Sequence, residues 1–157
     1  MNRRRPFKAV EKRLAGAQPL LTTRATSERM SRIRQEGTEP ELIVRRVVSA
    51  YGNRYTLDNK DLPGSPDLAN RSKRWAIFVH GCYWHHHTAC SRATIPKSNT
   101  GFWKAKFAAN RERDTAVLKT LRNRGYSVYT LWECQSADRV ARALKPLFDR
   151  VTRDQGR

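Results

Sequence analysis

The sequence lacks any apolar run long enough to cross a bilayer. A membrane-spanning helix needs about 20 consecutive apolar residues, and none is found in the 157-residue chain. The arginines at positions 3 to 5 are not followed by the apolar stretch of a secretory signal. These absences predict a protein that neither spans a membrane nor is secreted.

Acidic residues are also scarce. The chain has 14 Asp and Glu against 32 Lys and Arg, which gives a formal net charge of +18. A folded domain with such a one-sided charge repels itself unless a polyanion neutralises it, so nucleic acid is the predicted partner. An anionic membrane surface and a basic protein with no particular partner are the alternatives.

Cysteine is too rare for a disulfide framework. Three cysteines cannot all pair within one chain, and four histidines accompany them. Metal ligation or free thiols fit this composition better than disulfides do. The cysteine count therefore predicts a protein of the reducing cytoplasm.

The length fits a single domain that buries a substantial core. Residues 1–26 are predicted to form a basic, flexible tail, residues 27–152 the folded domain and residues 153–157 a C-terminal tail. A short helix near Ser27–Arg34 is predicted where the basic N-terminal region ends.

Helix and strand signals alternate along the domain. A capping residue, a first-turn proline and a capping-box Glu at Thr38–Glu41 predict a helix that Gly52 ends. Strands are predicted at 55–57, 67–69, 75–79 and 126–132, the last two covered on both faces, with a loop at 80–101 and helices at 102–122 and after Ser136. The last helix has an apolar stripe of Val140, Leu144, Leu147 and Val151. This order predicts an α/β fold in which a mixed central β-sheet is flanked by helices.

Four potential metal ligands are concentrated in and around the 80–101 loop. Cys82, His87 and Cys90 would fasten the loop to itself, and Cys134 would join it to the end of a strand. Thiolate and imidazole are the donors that zinc prefers, and four of them make a closed structural site. The alternative is three buried, inert cysteines.

Three polar residues occupy positions that predict burial. Asp67 follows a proline at the start of a strand, His80 ends an apolar strand, and Asp114 lies on the apolar stripe of the long helix. Hydrolysis of a phosphodiester needs a metal-bound carboxylate and a proton acceptor. Asp67, with the backbone carbonyl of Val79, could hold Mg²⁺, and a histidine could take the proton from water. A structural ion pair at Asp114, a core histidine at His80 and a helix-capping role for Glu41 are the alternatives.

Several motifs resemble those of one enzyme family. The segment His80–His85 is similar to an HGCFWH signature, and Leu62–Asp67 resembles an LPGxPD turn. The remaining matches are TxPE at 38–41, PKSNTEFW at 96–103, NxxRD at 110–114 and V/LWEC at 131–134. In this order they cover roughly residues 27–150 and resemble the very short patch repair (Vsr) endonucleases.

This resemblance implies a restriction-endonuclease-like fold and a Mg²⁺-dependent enzyme that nicks one strand at T·G mismatches arising from deaminated 5-methylcytosine. It implies Asp67 as the principal Mg²⁺ ligand and His85 as the general base. His80, Asp114 and Glu41 would orient the water and the metal shell. The implied Zn²⁺ ligands are Cys82, His87, Cys90 and Cys134, in a structural site.

The resemblance also implies how DNA is bound. Tyr83, Trp84 and Trp103 would form an aromatic wedge that stacks beside the mismatch, and Met30 would enter the minor groove. Two residues separate His87 from Cys90 where the family usually has one, so His86 is an alternative zinc ligand. Tyr83 replaces a Phe and Gly101 a Glu of the family motifs.

The implied partner is double-stranded DNA with a T·G mismatch, bound by a monomer in the bacterial cytoplasm, with mismatch-repair machinery as a further candidate partner. Two other functions remain open on the residues alone. One is a non-catalytic zinc-containing DNA-binding module, which leaves Asp67 and Asp114 unexplained. The other is a related restriction-type nuclease without mismatch preference, against which the Tyr83-Trp84 pair argues.

Overall fold

The computed structural model describes residues 37–155, without the side chains of residues 152, 154 and 155. The predicted basic tail, the predicted helix at 27–34 and Met30 lie outside these residues. The elements in chain order are α1 (Glu39–Ala50), β1 (Leu68–Asn70), β2 (Trp75–His80), α2 (Thr100–Asn123), β3 (Ser127–Trp132) and α3 (Ala137–Gln155).

The described sheet has three strands in the order β1-β2-β3. β1 is antiparallel to β2, with Leu68 opposite Ile77. β3 is parallel to β2, with Ile77 opposite Tyr129. The prediction of a mixed sheet is therefore confirmed.

The prediction of a strand at 55–57 is wrong. Thr56 forms only an isolated antiparallel bridge with Ala69. The chain turns immediately afterwards, because the Thr56 hydroxyl donates a 2.7 Å hydrogen bond to Asn59 Oδ1 and Asp58 has a φ of 56°. The prediction that β3 is covered on both faces is confirmed, since its side chains pack toward α1 and α3 on one face and toward α2 on the other, although most of them are only half-buried.

Helices cover both faces of the sheet, as the element order predicts. Alternate side chains of β2, Trp75 and Ile77, pack against α1 and α3. The intervening side chains, Ala76 and Phe78, pack on the α2 side with Leu121. The predicted stripe of α3 is buried at Val140, Leu144, Leu147 and Val151. α3 continues to Gln155, into the segment predicted as a C-terminal tail.

Asn59 fixes the turn that leads to Asp67. Its side chain is 1% exposed, and its Nδ2 donates hydrogen bonds to the carbonyls of Thr56 at 2.9 Å and Pro66 at 3.0 Å. Gly64 has a φ of 73°, and a Cβ there would lie 2.4 Å from Val117 of α2, so a side chain would clash. The turn is thus anchored from both sides directly before Asp67. No helix within residues 37–155 has the length and apolarity to cross a membrane.

Candidate active site and metal centre

Two histidines stack at the end of β2. His80 is the last residue of the strand and is 8% exposed. The His85 ring lies parallel to it, with the ring centroids 3.7 Å apart and the planes 10° apart. The His85 amide donates to the carbonyl of Gly81 at 3.1 Å, so the loop turns back on itself after β2. This turn brings the two imidazoles together.

Asp114 of α2 contacts the outer of these rings. The distance from its Oδ2 to His85 Nδ1 is 2.5 Å. The donors of His80, His85 and Asp114 lie within 4.8 Å of one another. A carboxylate at Nδ1 favours the tautomer that carries its proton there, so Nε2 of His85 is left as the proton acceptor. Asp114, a carboxylate on the apolar stripe of α2, is thus paired with His85.

The surroundings shift the pKa values of His80 and Asp114. Burial, together with the charge on His85, lowers the pKa of His80 to about 4. Burial alone would raise the pKa of Asp114, but the hydrogen bond and charge of His85, with His80 and Arg113, outweigh it and lower that pKa. Near neutral pH, His80 is therefore uncharged while Asp114 is a carboxylate.

Asp67 lies beside β2 on the edge that faces β1. Its Oδ2 accepts a hydrogen bond from the Val79 amide at 2.7 Å. The His80 carbonyl accepts a bond from the amide of Glu133, beyond the end of β3, at 3.0 Å. Since backbone groups of successive strand residues point to opposite sides, the Val79 carbonyl points to the side on which Asp67 lies. One carboxylate and one carbonyl oxygen therefore share this edge.

A second acid lies near Asp67. Burial, and secondarily the charge of Glu41, raise the pKa of Asp67 to about 6 against the opposing Val79 hydrogen bond. Glu41 is itself buried and accepts bonds from the Gly37 amide at 2.8 Å, the Thr38 hydroxyl at 3.0 Å and Arg45 at 3.2 Å. The carboxylates of half-buried Asp67 and buried Glu41, with the Val79 carbonyl, are the kind of oxygen donors that hard divalent cations prefer. This donor set fits Mg²⁺.

Glu41 also has the predicted capping geometry in part. Its carboxylate reaches back to the chain before α1, although to Gly37 rather than to the N-cap amide. The side chain of the N-cap residue Thr38 makes no capping bond to the helix.

The structure brings the four predicted sulfur and nitrogen donors together. Donor atoms of Cys82, His87, Cys90 and Cys134 lie within 4.8 Å of one another, and His87 Nδ1 is 3.4 Å from both the Cys82 and Cys134 sulfurs. Burial, and secondarily a hydrogen bond with Cys134, raise the pKa of the Cys82 thiol to about 12. The cluster can therefore hold a metal, and its donors suit one that favours sulfur.

The neighbouring histidine faces elsewhere. The His86 ring stacks on Phe107 of α2, with centroids 4.9 Å apart and planes 4° apart, whereas the His87 ring stacks on Trp132 at 4.0 Å. His86 has a φ of 49°, which turns the backbone between the two rings. His87, not His86, places its ring nitrogen beside the sulfurs.

The three residues of the predicted wedge form one aromatic group. Tyr83 packs edge-on against Trp84 at 5.1 Å and Trp103 at 5.7 Å between centroids. Phe107 lies 5.5 Å from Tyr83 and 5.7 Å from Trp103. The prediction did not include Phe107, which joins the wedge to α2.

Two further polar residues beside this group escaped the sequence analysis. Lys106 is 8% exposed, and its ammonium lies 5.0 Å from the Trp103 ring centroid and 5.6 Å from that of Trp84. Asn110 is buried and donates to the Trp84 carbonyl at 2.9 Å. Both share the helix face of Trp103 and Asp114, so the signal that singled out Asp114 was present for them too.

Glu133 is a third residue that the prediction missed. Its Oε1 accepts from the Cys82 amide at 3.0 Å, and its own amide donates to the His80 carbonyl. Glu133 therefore holds the backbone on both sides of Gly81, which lies between the stacked histidines and the cysteine cluster. Its position before Cys134 in the sequence gave no sign of this role.

Comparison with known proteins identifies the family of this chain. A family model described as DNA mismatch endonuclease Vsr matches residues 19–92. The type II nicking enzyme V.XorIIP of Xanthomonas oryzae pv. oryzae is 39% identical over 122 residues, which cover 75% of this chain and 89% of that protein. The DNA mismatch endonuclease Vsr of Escherichia coli is 32% identical over 125 residues, 80% of each chain.

The type II nicking enzyme V.NmeAIP of Neisseria meningitidis is 34% identical over 138 residues, 84% of this chain and 98% of that protein. The fold, the site and these relatives define a DNA endonuclease. The chain belongs to the Vsr family of DNA mismatch endonucleases.

The Asp67→Asn substitution should stabilise the metal-free protein as pH rises. The folded pKa of about 6 lies above the ordinary 3.8, so the folded state binds this proton more tightly and loses that advantage as pH rises through 6. We expect equal stability near about pH 4 and a variant more stable by on the order of 3 kcal/mol near about pH 8.

Urea unfolding of both proteins in chelator, across this pH range, measures the difference. Asp58→Asn is the matched control, because Asp58 is an exposed aspartate of the preceding segment. A stability difference between Asp67→Asn and the unsubstituted protein that stays constant with pH would contradict the assigned environment of Asp67.

Proposed function

We propose that this protein is a Mg²⁺-dependent endonuclease that nicks one DNA strand at T·G mismatches arising from deamination of 5-methylcytosine. The observation that carries the proposal is the arrangement at the end of β2. A buried acid lies on one side of Val79, and a carboxylate-bound histidine stacks on the next residue, His80. Family membership and relatives named as nicking enzymes support strand nicking.

Asp67 and the Val79 carbonyl are the proposed Mg²⁺ ligands, with Glu41 orienting the surrounding shell. When bound, Mg²⁺ supplies a water of lowered pKa and neutralises charge on the phosphate. The Val79 amide holds Asp67 in position at 2.7 Å. Arg45 balances part of the charge of Glu41, which lies 3.2 Å away. These contacts keep two acids close to each other without fully neutralising them.

His85 is the proposed general base. Its Nε2 takes a proton from the attacking water, and Asp114 at Nδ1 stabilises the imidazolium that forms. His80 remains uncharged and stacked on His85, so it orients the ring without competing for that proton. The nucleophile and the phosphate would meet between this pair and Asp67.

Mismatch selection is proposed for the aromatic group of Tyr83, Trp84 and Trp103. Unstacking a base step costs a few kcal/mol, and a wobble pair resists less than a Watson–Crick pair. Aromatic faces inserted beside the mismatch recover part of that stacking energy. Phe107 beneath the group and the bond from Asn110 to the Trp84 carbonyl support its position. Met30 is proposed for the minor groove.

Cys82, His87, Cys90 and Cys134 are proposed as ligands of one structural Zn²⁺, since three sulfurs and an imidazole form a closed tetrahedral set. The mixed sheet between helices is proposed to be a restriction-endonuclease-like fold. Free thiols rather than disulfides support a cytoplasmic enzyme, for which we propose a monomer. A mismatch-repair protein is a further proposed partner.

Removal of a zinc ligand should release the metal and destabilise the fold. Structural zinc contributes on the order of 10 kcal/mol to folding of small sites, so Cys134→Ser should carry well under one zinc per chain and melt at a lower temperature. Elemental analysis and thermal unfolding measure both quantities. A chelator should lower the melting temperature of the unsubstituted protein but not of the variant. Equal zinc content in the two proteins would remove Cys134 from the ligand set.

Asp67→Ala should abolish nicking while leaving duplex binding largely intact, because the acid is assigned to the metal and not to the DNA. Asp114→Asn should slow the chemical step by about 10²- to 10⁴-fold, the usual contribution of a positioned base. Single-turnover nicking of a T·G duplex with and without Mg²⁺ gives both rates. Asp138→Ala is the matched control, because Asp138 is an exposed aspartate of α3. Full activity of Asp67→Ala would end its assignment.

Changing Tyr83 and Trp84 together to Ala should reduce the preference for T·G over C·G duplexes of one sequence. The wedge gains most where a base pair opens easily, so its loss should slow the mismatched substrate more. Tyr51→Ala is the aromatic control, since Tyr51 lies on α1's C-terminal end and is 57% exposed. Equal nicking of both duplexes by the unsubstituted protein would instead favour a related nuclease without mismatch preference.

A further inference from the structure

A groove runs along the outer side of α1. It encloses about 520 Å³, and we call it the α1 groove. Its lining residues are Leu42, Arg45, Arg46, Ser49, Ala50 and Tyr55. None of them is acidic, whereas two are arginines. A smaller hollow of about 250 Å³ continues past Tyr55 to Arg54 and Arg71.

Donors in this groove exceed the acceptors available to them. Within residues 37–155, Arg45 Nε is buried and lacks a hydrogen-bond partner, although the same side chain pairs with Glu41. Arg71 pairs with Asp61. Arg46 and Arg54 are exposed and form no ion pair among the described residues. The groove and the hollow therefore retain positive charge at Arg46 and Arg54, which suits an anionic occupant.

The groove is linked to the candidate active site through Arg45. Arg45 lines it, contacts Glu41, and its charge acts on Asp67. Asp67 lies on the β1 side of β2, where α1 covers one face of the sheet and the aromatic group lies toward α2. A duplex at this edge would meet the aromatic group on one face and the α1 groove on the other.

We infer that the α1 groove and the smaller hollow next to it bind the phosphate backbone of the duplex arm that extends from the nicked position, with Arg46 in the groove and Arg54 in the hollow as the phosphate contacts. Tyr55 lies between the two arginines and lines both hollows. Backbone contacts of this kind carry no base specificity but hold the DNA in register. The groove would thus fix how the duplex approaches Asp67, independently of mismatch recognition.

The test is the salt dependence of binding by Arg46→Gln/Arg54→Gln. Each lost phosphate contact should reduce the slope of log Kd against log salt by about 0.9. When the salt concentration rises from about 50 to about 200 mM, the affinity of both proteins for the duplex should fall. The fall should be about tenfold smaller for the double variant than for the unsubstituted protein. The ratio of affinities for T·G and C·G duplexes should not change.

Lys119→Gln/Arg122→Gln is the matched control, because both residues are exposed on α2, across the sheet from α1. Its slope should equal that of the unsubstituted protein. An unchanged slope in the groove variant, or an equal reduction in the control, would overturn the inference. Binding to the C·G duplex alone is sufficient for this test, so a failure of the proposed mismatch preference would not be mistaken for a failure of the groove.

Duplexes shortened at one end or at the other give a second readout. The unsubstituted protein should bind the full-length duplex more tightly than the double variant does. If the groove holds one arm, this difference in affinity should disappear on only one of the two shortened duplexes. Loss of the difference on neither, or equally on both, contradicts a contact with a single arm.

Discussion

The end of β2 is the constraint on which the site depends. The Val79 amide faces Asp67, the His80 carbonyl faces the amide of Glu133, and the His80 side chain faces α2. Val79 and His80 thus place an amide, a carbonyl and an imidazole on three different sides of β2. A shift of the register by a single residue would exchange these directions, so the acid, the imidazoles and the sulfur loop all depend on the pairing of β2.

The same arrangement opposes stability. Asp67 and Glu41 are both acids with little access to water, and burial of the Cys82 thiol disfavours its charged form. Trp75, Ile77, Leu131 and Leu144 bury almost completely one layer away, and each such side chain stabilises the fold by about 1.5–3 kcal/mol. The apolar layers formed with α1 and α3 therefore offset a site whose charges are arranged for binding cations.

The sequence predicted the parts of this site that follow from local pattern. Asp114 interrupts an apolar stripe and therefore needed a partner, which is His85. The Pro-Gly-Ser-Pro turn indicated that Asp67 begins a strand region. Lys106 shares the helix face of Asp114, so the pattern that marked Asp114 was present for it as well. The bond from Glu133 to Cys82 joins residues 51 positions apart in the chain, so no local pattern revealed it. The choice between His86 and His87 depended on one positive φ angle, which histidine spacing does not encode.

The loop between β2 and α2 has no strand or helix of its own, yet it carries His85 and two residues of the aromatic group, Tyr83 and Trp84. It is fixed at three places: His85 to Asp114, the Trp84 carbonyl to Asn110, and His87 to the sulfurs. Two of the three anchors lie on α2. The spacing of Asn110 and Asp114, four residues or about one turn apart, therefore sets the distance between Trp84 and His85. The proposed general base and the proposed recognition surface are therefore linked through one helix, whereas the cysteine and histidine cluster ties the loop to Cys134 after β3.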